Sequence, residues 1–203
     1  MLKQIINKLF YNPYKFIKKH SNIKVSDTAI LLKSCTFRFD GKVKNNKVSI
    51  GDNSMVGCSF VFESDEGEIN VGNNSYIGGG TTLISRNNIS IGNNVTIAWG
   101  CTLYDHNSHS LDYIERQKDI ERQNNDYRNG RNFISSKDWS VVKSKPIIIE
   151  DNVWIGFDSV ILAGVTVGEG SIIGARSVVR HNVEPWTVVA GNPAVVIKRL
   201  RDE

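Results

Sequence analysis

Residues 147–179 read IIIEDNVWIGFDSVILAGVTVGEGSIIGARSVV, and a large aliphatic residue recurs at every sixth position from Ile149 to Val179. An amphipathic helix repeats every 3.6 residues and a half-buried strand every two residues, so this period fits neither element. A period of six is typical of a chain that winds in short strands joined by corners. Three such units close one triangular coil, and we predict that the large aliphatic side chains fill its interior.

The same spacing continues upstream of this stretch, with a restart wherever extra residues are inserted. It predicts an all-β chain of about six coils between residues 25 and 183, stacked about 4.8 Å apart through backbone hydrogen bonds. Gly follows eight of the interior residues, and we expect it to supply permissive backbone dihedrals. The predicted interior residues are Val25, Leu31, Phe37, Ile50, Val56, Phe62, Val71, Ile77, Leu83, Ile91, Ile97, Leu103, Ile149, Ile155, Ile161, Val167, Ile173 and Val179.

Two segments fall outside the repeat. Residues 1–22 are predicted to be helical, with Pro13 ending or kinking the helix, and their short apolar face favours a helix that caps the core over a weak peripheral membrane contact through residues 1–20. The residues on that face are Leu2, Ile5, Ile6 and Leu9. The second segment is an insertion loop at about 107–145 within a β-helix domain covering residues 23–200. A loop of this length in a compact repeat is usually functional or disordered.

The composition bounds the function classes. The chain has 203 residues, of which 40% are hydrophobic, so it can bury a core. Its net charge of +4 is too small to indicate nucleic-acid binding. The three cysteines form no CxxC pair, which favours a reducing compartment and predicts a cytoplasmic protein. No apolar run approaches the roughly 18 residues that span a bilayer.

The motifs around the repeat resemble those of the hexapeptide acyltransferase superfamily, most closely the branch of galactoside, maltose and xenobiotic acetyltransferases and polysaccharide O-acetyltransferases. The matching stretches are TLYDH at 102–106, IIIEDNVWIG at 147–156, residues 163–175, and VVAGNPA at 188–194. The resemblance implies a left-handed parallel β-helix, a homotrimer with active sites between subunits, acetyl-CoA as acyl donor and no metal. It also implies acetyl transfer to a hydroxyl, or less readily an amine, of a sugar or a surface polysaccharide or lipopolysaccharide precursor.

Three neighbouring residues carry the predicted chemistry. Acetyl transfer needs a base that takes the proton of the acceptor, and a histidine pKa of about 6.5 suits that role. His106 aligns with the catalytic histidine of the family and begins the insertion, so it is predicted to be the general base. His109 is either an acceptor contact or an ordinary loop residue. Asp105 is a candidate to orient an imidazole, but a surface-turn carboxylate is favoured because adjacent strand residues point to opposite sides.

The acceptor pocket has further candidates. Trp154 matches a tryptophan that lines the cleft in polysaccharide O-acetyltransferases, and a trimer-interface aromatic is the equal alternative. Arg86 stands near the place where galactoside and maltose enzymes carry an acceptor-binding aspartate, so this pocket differs from theirs. We hypothesise that basic and aromatic side chains of the insertion cover a larger or acidic glycan. These side chains are Tyr113, Tyr127, Arg128, Arg131 and Trp139.

Predicted contacts to CoA lie in the last two coils and the C-terminal tail. Small residues keep a coil edge low so that its backbone amides reach the pantetheine arm, and basic residues align with or stand beside family positions that meet the phosphates. The predicted CoA-binding residues are Ala163, Gly164, Ala175, Arg180, His181, Asn192, Pro193 and Lys198. Small corner residues and a solvated basic tail are the alternative interpretations.

Two other functions remain open on the same fold. A zinc lyase of the γ-type carbonic anhydrase class needs three convergent histidines, whereas only His106 and His109 lie near each other in the sequence. A non-catalytic β-helix scaffold would not require His106, the Trp154 motif and a basic tail together. Acetyl transfer is therefore the favoured interpretation.

Overall fold

A computed structural model describes residues 11–200, and in it the chain forms six coils of three short strands each. The helices are α1 (Pro13–Ile17) and α2 (Tyr113–Arg128). The strands are β1 (Ile23–Val25), β2 (Ile30–Leu31), β3 (Thr36–Phe39), β4 (Lys47–Ile50), β5 (Met55–Val56), β6 (Ser59–Phe62), β7 (Glu68–Val71), β8 (Tyr76–Ile77), β9 (Thr82–Ile84), β10 (Asn88–Ile91), β11 (Thr96–Ile97), β12 (Thr102–Tyr104), β13 (Ile147–Ile149), β14 (Trp154–Ile155), β15 (Val160–Leu162), β16 (Thr166–Val167), β17 (Ile172–Ile173), β18 (Val178–Val179), β19 (Thr187–Gly191) and β20 (Ala194–Arg199).

The strands stack into three sheets that form the sides of a triangular prism. The first sheet has the order β1-β4-β7-β10-β13-β16, and the third has β3-β6-β9-β12-β15-β18. The second sheet runs β2-β5-β8-β11-β14-β17 and then adds β19 and β20. All pairs are parallel except β19 with β20, which form an antiparallel hairpin at the C-terminal end.

The interior is the column of residues that the period of six predicts. Seventeen of the eighteen predicted interior residues are buried, and the exception, Val25, is half-buried at the end of the stack. Small corner residues lie beneath the turns and satisfy buried backbone carbonyls. Ser54 Oγ, for example, donates to Gly72 O at 2.7 Å, and Thr81 Oγ1 donates to Ala98 O at 2.8 Å.

The glycines that follow the interior residues are needed for space rather than for unusual dihedrals. None of these eight glycines has a positive φ, which instead occurs at corner residues such as Asn74 (53°) and Asn94 (55°). A Cβ on Gly72 would lie 2.6 Å from Gly92 O, and a Cβ on Gly156 would lie 2.6 Å from Ala175 N. The expectation of permissive dihedrals at these glycines is therefore wrong, because stacked coils approach too closely there for any side chain.

The N-terminal end of the stack is covered by α1. Asn12 caps this helix and Pro13 is its first residue, so within the described residues Pro13 begins a helix rather than ending one. Phe16 stacks on Phe37 with ring centroids 5.6 Å apart, and Tyr14 Oη accepts the backbone N–H of Leu31 at 2.9 Å. The predicted apolar face at residues 2–9, and with it most of the proposed membrane contact, lies outside the described residues.

Irregular lengths are concentrated where the third sheet gives way to the first. We call this the insertion edge, formed by the turns at 40–46, 63–67, 85–87, 105–146, 163–165 and 180–182. Its longest turn contains the 16-residue helix α2, which begins after an Asp112 cap. The insertion is thus folded, and the sequence analysis missed its helix because few apolar residues mark a buried face.

All three cysteines, Cys35, Cys58 and Cys101, are free and buried, which agrees with the expectation of no disulfide framework. Neither helix of residues 11–200 combines the length and the hydropathy that a membrane crossing requires.

Candidate active site

His106 is buried at the root of the insertion. It follows β12, forms an isolated antiparallel bridge with Ser144, and its side chain has no exposed surface. The ring meets Tyr104 edge-on at a centroid distance of 4.6 Å and Trp139 at 5.7 Å. Its Nδ1 accepts the backbone N–H of Ser108 at 3.1 Å, whereas Nε2 has no hydrogen-bond partner.

A carboxylate lies opposite the unpartnered nitrogen. Glu63 Oε2 is 3.8 Å from His106 Nε2, too far for a direct hydrogen bond. The same oxygen accepts the hydroxyl of Tyr104 at 3.2 Å and that of Ser108 at 3.1 Å. Tyr104 and Ser108 also contact each other through their hydroxyls. Together these four residues form a compact polar cluster, which we call the His106 cluster.

The environment of His106 disfavours its charged form. Burial lowers the pKa of this histidine from 6.5 to about 4, and the positive charges of Arg86 and Lys137 act in the same direction. Burial likewise raises the pKa of Tyr104 to about 12. At neutral pH the cluster therefore contains a neutral imidazole and a neutral phenol facing one carboxylate.

Asp105 has neither of its predicted roles. It is fully buried, so it is not a surface-turn residue, and its carboxylate does not contact either imidazole. It accepts the backbone N–H groups of Arg86 and Asn87, both at 2.8 Å, and the hydroxyl of Ser85 at 2.7 Å. Desolvation raises its pKa despite these bonds. Asp105 thus fixes the turn of the coil below, because the chain leaves the strand at this residue and the side chain turns inward.

His109 belongs to a second, more exposed cluster. Its ring is about half exposed, and Nδ1 lies 3.0 Å from Asp119 Oδ2 on α2. Lys137 forms an ion pair with the same carboxylate and lies over the Trp139 ring, with Nζ 5.2 Å from the ring centroid. Lys137 therefore links this second cluster, which we call the His109 cluster, to the cover of His106.

A cavity of about 510 Å³ opens beside the His106 cluster, between the insertion and the turns after β3 and β6. Its lining residues are Asp40, Gly41, Lys42, Lys44, Glu63, Ser64, Asp65, Ile134, Ser135, Lys137 and Trp139. Glu63 is on its wall, whereas His106 lies behind it. Of the insertion residues predicted to cover a glycan, Trp139 lines the cavity, while Tyr113 and Tyr127 are exposed on α2.

The residues predicted to bind CoA are divided between two parts of the prism. Ala163, Gly164, Arg180 and His181 lie on the insertion edge, stacked beyond His106. Lys145 bridges these levels: its backbone N–H donates to Asp105 O at 2.9 Å, and its side chain covers Gly164.

The other predicted CoA residues accompany the second sheet. Ala175 lies in the turn after β17, and Asn192 and Pro193 form the turn of the β19–β20 hairpin. Lys198 pairs with Val188 in that hairpin. Since sequence spacing alone does not reveal this division, it is a finding of the structure.

Trp154 lies away from His106 within one subunit. It sits in β14 of the second sheet and is 52% exposed. Register places it in one outward row with Ile30, Met55 and Tyr76, which makes this sheet face partly apolar. Of the two predicted roles, a cleft contact within the same subunit is therefore not formed.

The described residues include no group of three or more His, Cys, Asp or Glu side chains arranged to hold a metal ion. His106 faces Glu63 and aromatic rings, and His109 faces Asp119 and Lys137.

Comparison with known proteins places the repeat in a family. Residues 146–181 match the family described as Bacterial transferase hexapeptide (six repeats). A hexapeptide-repeat-containing acetyltransferase from Vibrio cholerae, solved with acetyl coenzyme A, superposes with a TM-score of 0.57 at 26% identity, over 93% of this chain and 76% of that one. This chain belongs to the hexapeptide-repeat superfamily. The predicted fold class, an all-β left-handed parallel β-helix with an insertion, is confirmed.

Two further proteins define the range of its relatives. A chloramphenicol acetyltransferase of Agrobacterium fabrum is 45% identical over 56 residues, which are 28% of this chain and 27% of that relative. The chain thus matches less than a third of the length of this curated relative. AntD, an N-acyltransferase from Bacillus cereus solved with dTDP and coenzyme A, has a TM-score of 0.67 at 20% identity, over 94% of this chain and 90% of that one, and shows the fold alone.

Glu63 is the residue of the site that the sequence analysis missed. The strand register contains a signal for it: Val61 pairs with Ile84, which pairs with Tyr104. Two residues further along each coil come Glu63, Arg86 and His106. Glu63 is therefore the acidic residue two coils below His106 on the same edge, which becomes visible only once the register is fixed.

Proposed function

We propose that this protein is an acetyltransferase that uses acetyl-CoA and acts at the His106 cluster. The observation that carries the proposal is the placement of a buried, neutral imidazole against one carboxylate beside a cavity, on the edge that also carries Gly164, Arg180 and His181. The acetyl-CoA complex of the Vibrio cholerae structure supports the donor. The base role predicted for His106 stays a prediction here.

We propose a sugar as the acceptor, with a hydroxyl favoured over an amine. The cavity combines one aromatic wall, Trp139, with charged side chains on both sides. Aromatic faces and carboxylates suit a polar ring that is apolar on its faces and hydroxylated at its edge. A sugar of a surface polysaccharide or lipopolysaccharide precursor fits this description, and the amino-sugar complex of AntD supports the sugar class.

A thiol-release assay tests this function. Acetyl-CoA is supplied with chloramphenicol, free galactosides, dTDP-4-amino-4,6-dideoxyglucose and its 4-hydroxy counterpart. We expect thiol release with a sugar and not with chloramphenicol, and the matched 4-amino and 4-hydroxy sugars separate N- from O-acetylation. No acceptor-dependent release with any of these compounds would overturn the proposed function.

We also propose that the protein forms a homotrimer through the second sheet, in the cytoplasm. The exposed apolar row of Ile30, Met55 and Trp154 supports burial against another copy. Sedimentation equilibrium should give a trimer, which Trp154→Glu should weaken and Tyr127→Glu, on the exposed face of α2, should not. A stable, active monomer would contradict this assembly.

A further inference from the structure

The group of the His106 cluster that a bound molecule can reach is Glu63. Its side chain is 22% exposed and lies on the wall of the 510 Å³ cavity. The His106 side chain has no exposed surface and is covered by Tyr104 and Trp139. An acceptor that enters the cavity therefore meets the carboxylate first.

The hydrogen bond at Nδ1 fixes the proton of the imidazole. Nδ1 accepts the Ser108 N–H, so a neutral ring must carry its proton on Nε2. That nitrogen faces Glu63 Oε2 at 3.8 Å and is a donor, not an acceptor. A general base needs a free lone pair, and in this arrangement neither ring nitrogen offers one.

The charge state agrees with this geometry. Burial, with the charges of Arg86 and Lys137, lowers the pKa of His106 to about 4, so the ring is neutral at pH 7. The groups facing it are Glu63, Tyr104, Arg86 and Lys137, since Asp105 bonds to the turn below. Three polar groups consequently point at Glu63 Oε2: the hydroxyls of Tyr104 and Ser108, and Nε2–H.

The other carboxylates of the cavity are engaged elsewhere. Asp65 forms an ion pair with Lys44 at 2.6 Å, and Asp40 forms one with Arg38 at 2.8 Å. Glu63 has only a long contact to Arg38, 3.6 Å from its Oε1. Of the carboxylates on the wall, Glu63 therefore combines access from the cavity with a buried polar support.

We propose that Glu63 is the catalytic base and that His106 is a positioning residue behind it. This inference rests on the proposed function and moves the proton-accepting role predicted for His106 onto Glu63. As the acceptor oxygen or nitrogen bonds to the thioester carbonyl carbon, its proton passes to the Glu63 carboxylate. The C–S bond then breaks, and the CoA thiolate takes the proton from Glu63, which restores the carboxylate and yields CoA thiol and the acetylated product.

Matched substitutions separate the two roles, assayed with the acceptor of the panel that gives the fastest thiol release. Glu63→Gln should lower kcat by about 10²–10⁴, as expected for a lost general base, with the KM for acetyl-CoA unchanged. Asp65→Asn, a carboxylate of the same cavity, should change kcat less than about threefold, as for a residue outside the proton path. His106→Gln keeps an N–H donor near the position of Nε2 and should retain most of the activity that His106→Ala loses.

The opposite pattern would overturn the inference: His106→Gln as inactive as His106→Ala, with Glu63→Gln active. Nitrogen-15 NMR of the intact protein gives a readout independent of turnover, because the Nε2–H tautomer of His106 should persist between pH 6 and 8, and an Nδ1–H tautomer would contradict the inference. An active wild type whose Glu63→Gln variant keeps its turnover refutes only this inference. A wild type without acceptor-dependent thiol release refutes the proposed function as well.

Discussion

Two histidines three residues apart lie in contrasting surroundings. His106 is enclosed by Tyr104 and Trp139, whereas His109 is about half exposed beside Asp119 on α2. The His106 cluster is built on the rigid ladder of coils, and the His109 cluster is built on the insertion. Sites on regular elements are held more precisely than sites on loops. The contrast assigns the chemistry to the ladder and leaves the insertion the roles of cover and acceptor contact.

The largest expected difference between the two clusters is in acid stability. The folded pKa of His106, about 4, lies below the unfolded value of 6.5, so the unfolded chain binds a proton in this window that the native chain does not. At roughly 1.4 kcal/mol per unit, about 3 kcal/mol of stability should be lost as the pH falls from 6.5 to 4.

Urea unfolding at pH 7.5 and pH 4.5 measures this loss. His106→Gln removes the titrating group and should lose less stability between the two pH values than the wild type. His109→Gln should behave like the wild type. The wild type serves as reference because Asp105 and other carboxylates titrate in all three proteins. Equal losses in wild type and His106→Gln would show that His106 titrates normally.

A smaller effect is expected from Lys137, which connects the clusters. Its positive charge lowers the pKa of His106, so Lys137→Met should raise that pKa, as an NMR titration of the ring would show. Lys118→Met, which breaks an exposed pair with Glu115, is the matched control and should leave it unchanged. An unchanged His106 pKa in Lys137→Met would mean that the two clusters are electrostatically separate.

The smallest effects concern the donor. Arg180 is stacked beyond His106 on the insertion edge, whereas Lys198 is in the hairpin, so Arg180→Ala should raise the KM for acetyl-CoA more than Lys198→Ala does. Both should change KM more than kcat, as expected when uniform binding is lost. The penalty should shrink with dephospho-CoA for a residue that meets the 3′-phosphate. Unchanged KM values in both variants would place CoA elsewhere.

The sequence predicted the ladder better than the site because the two depend on different information. The column from Leu31 to Val179 is set by a local period, and close packing of coils makes any break in it costly. Asp105 was misjudged because strand alternation ends where the chain turns. Glu63 was missed because its neighbourhood with His106 depends on the register of two intervening coils, which the restarts in the repeat obscure.

The most direct test of the account is the kcat of His106→Ala beside that of His109→Ala, with acetyl-CoA binding measured by calorimetry as the control for folding. Removing the ring that supports Glu63 displaces the reacting carboxylate, and a misplacement of about 1 Å costs on the order of 10²-fold in rate. We expect that loss for His106→Ala, with CoA affinity nearly intact, and less than about a tenth of it for His109→Ala. A near-wild-type kcat for His106→Ala together with an inactive His109→Ala would contradict the account.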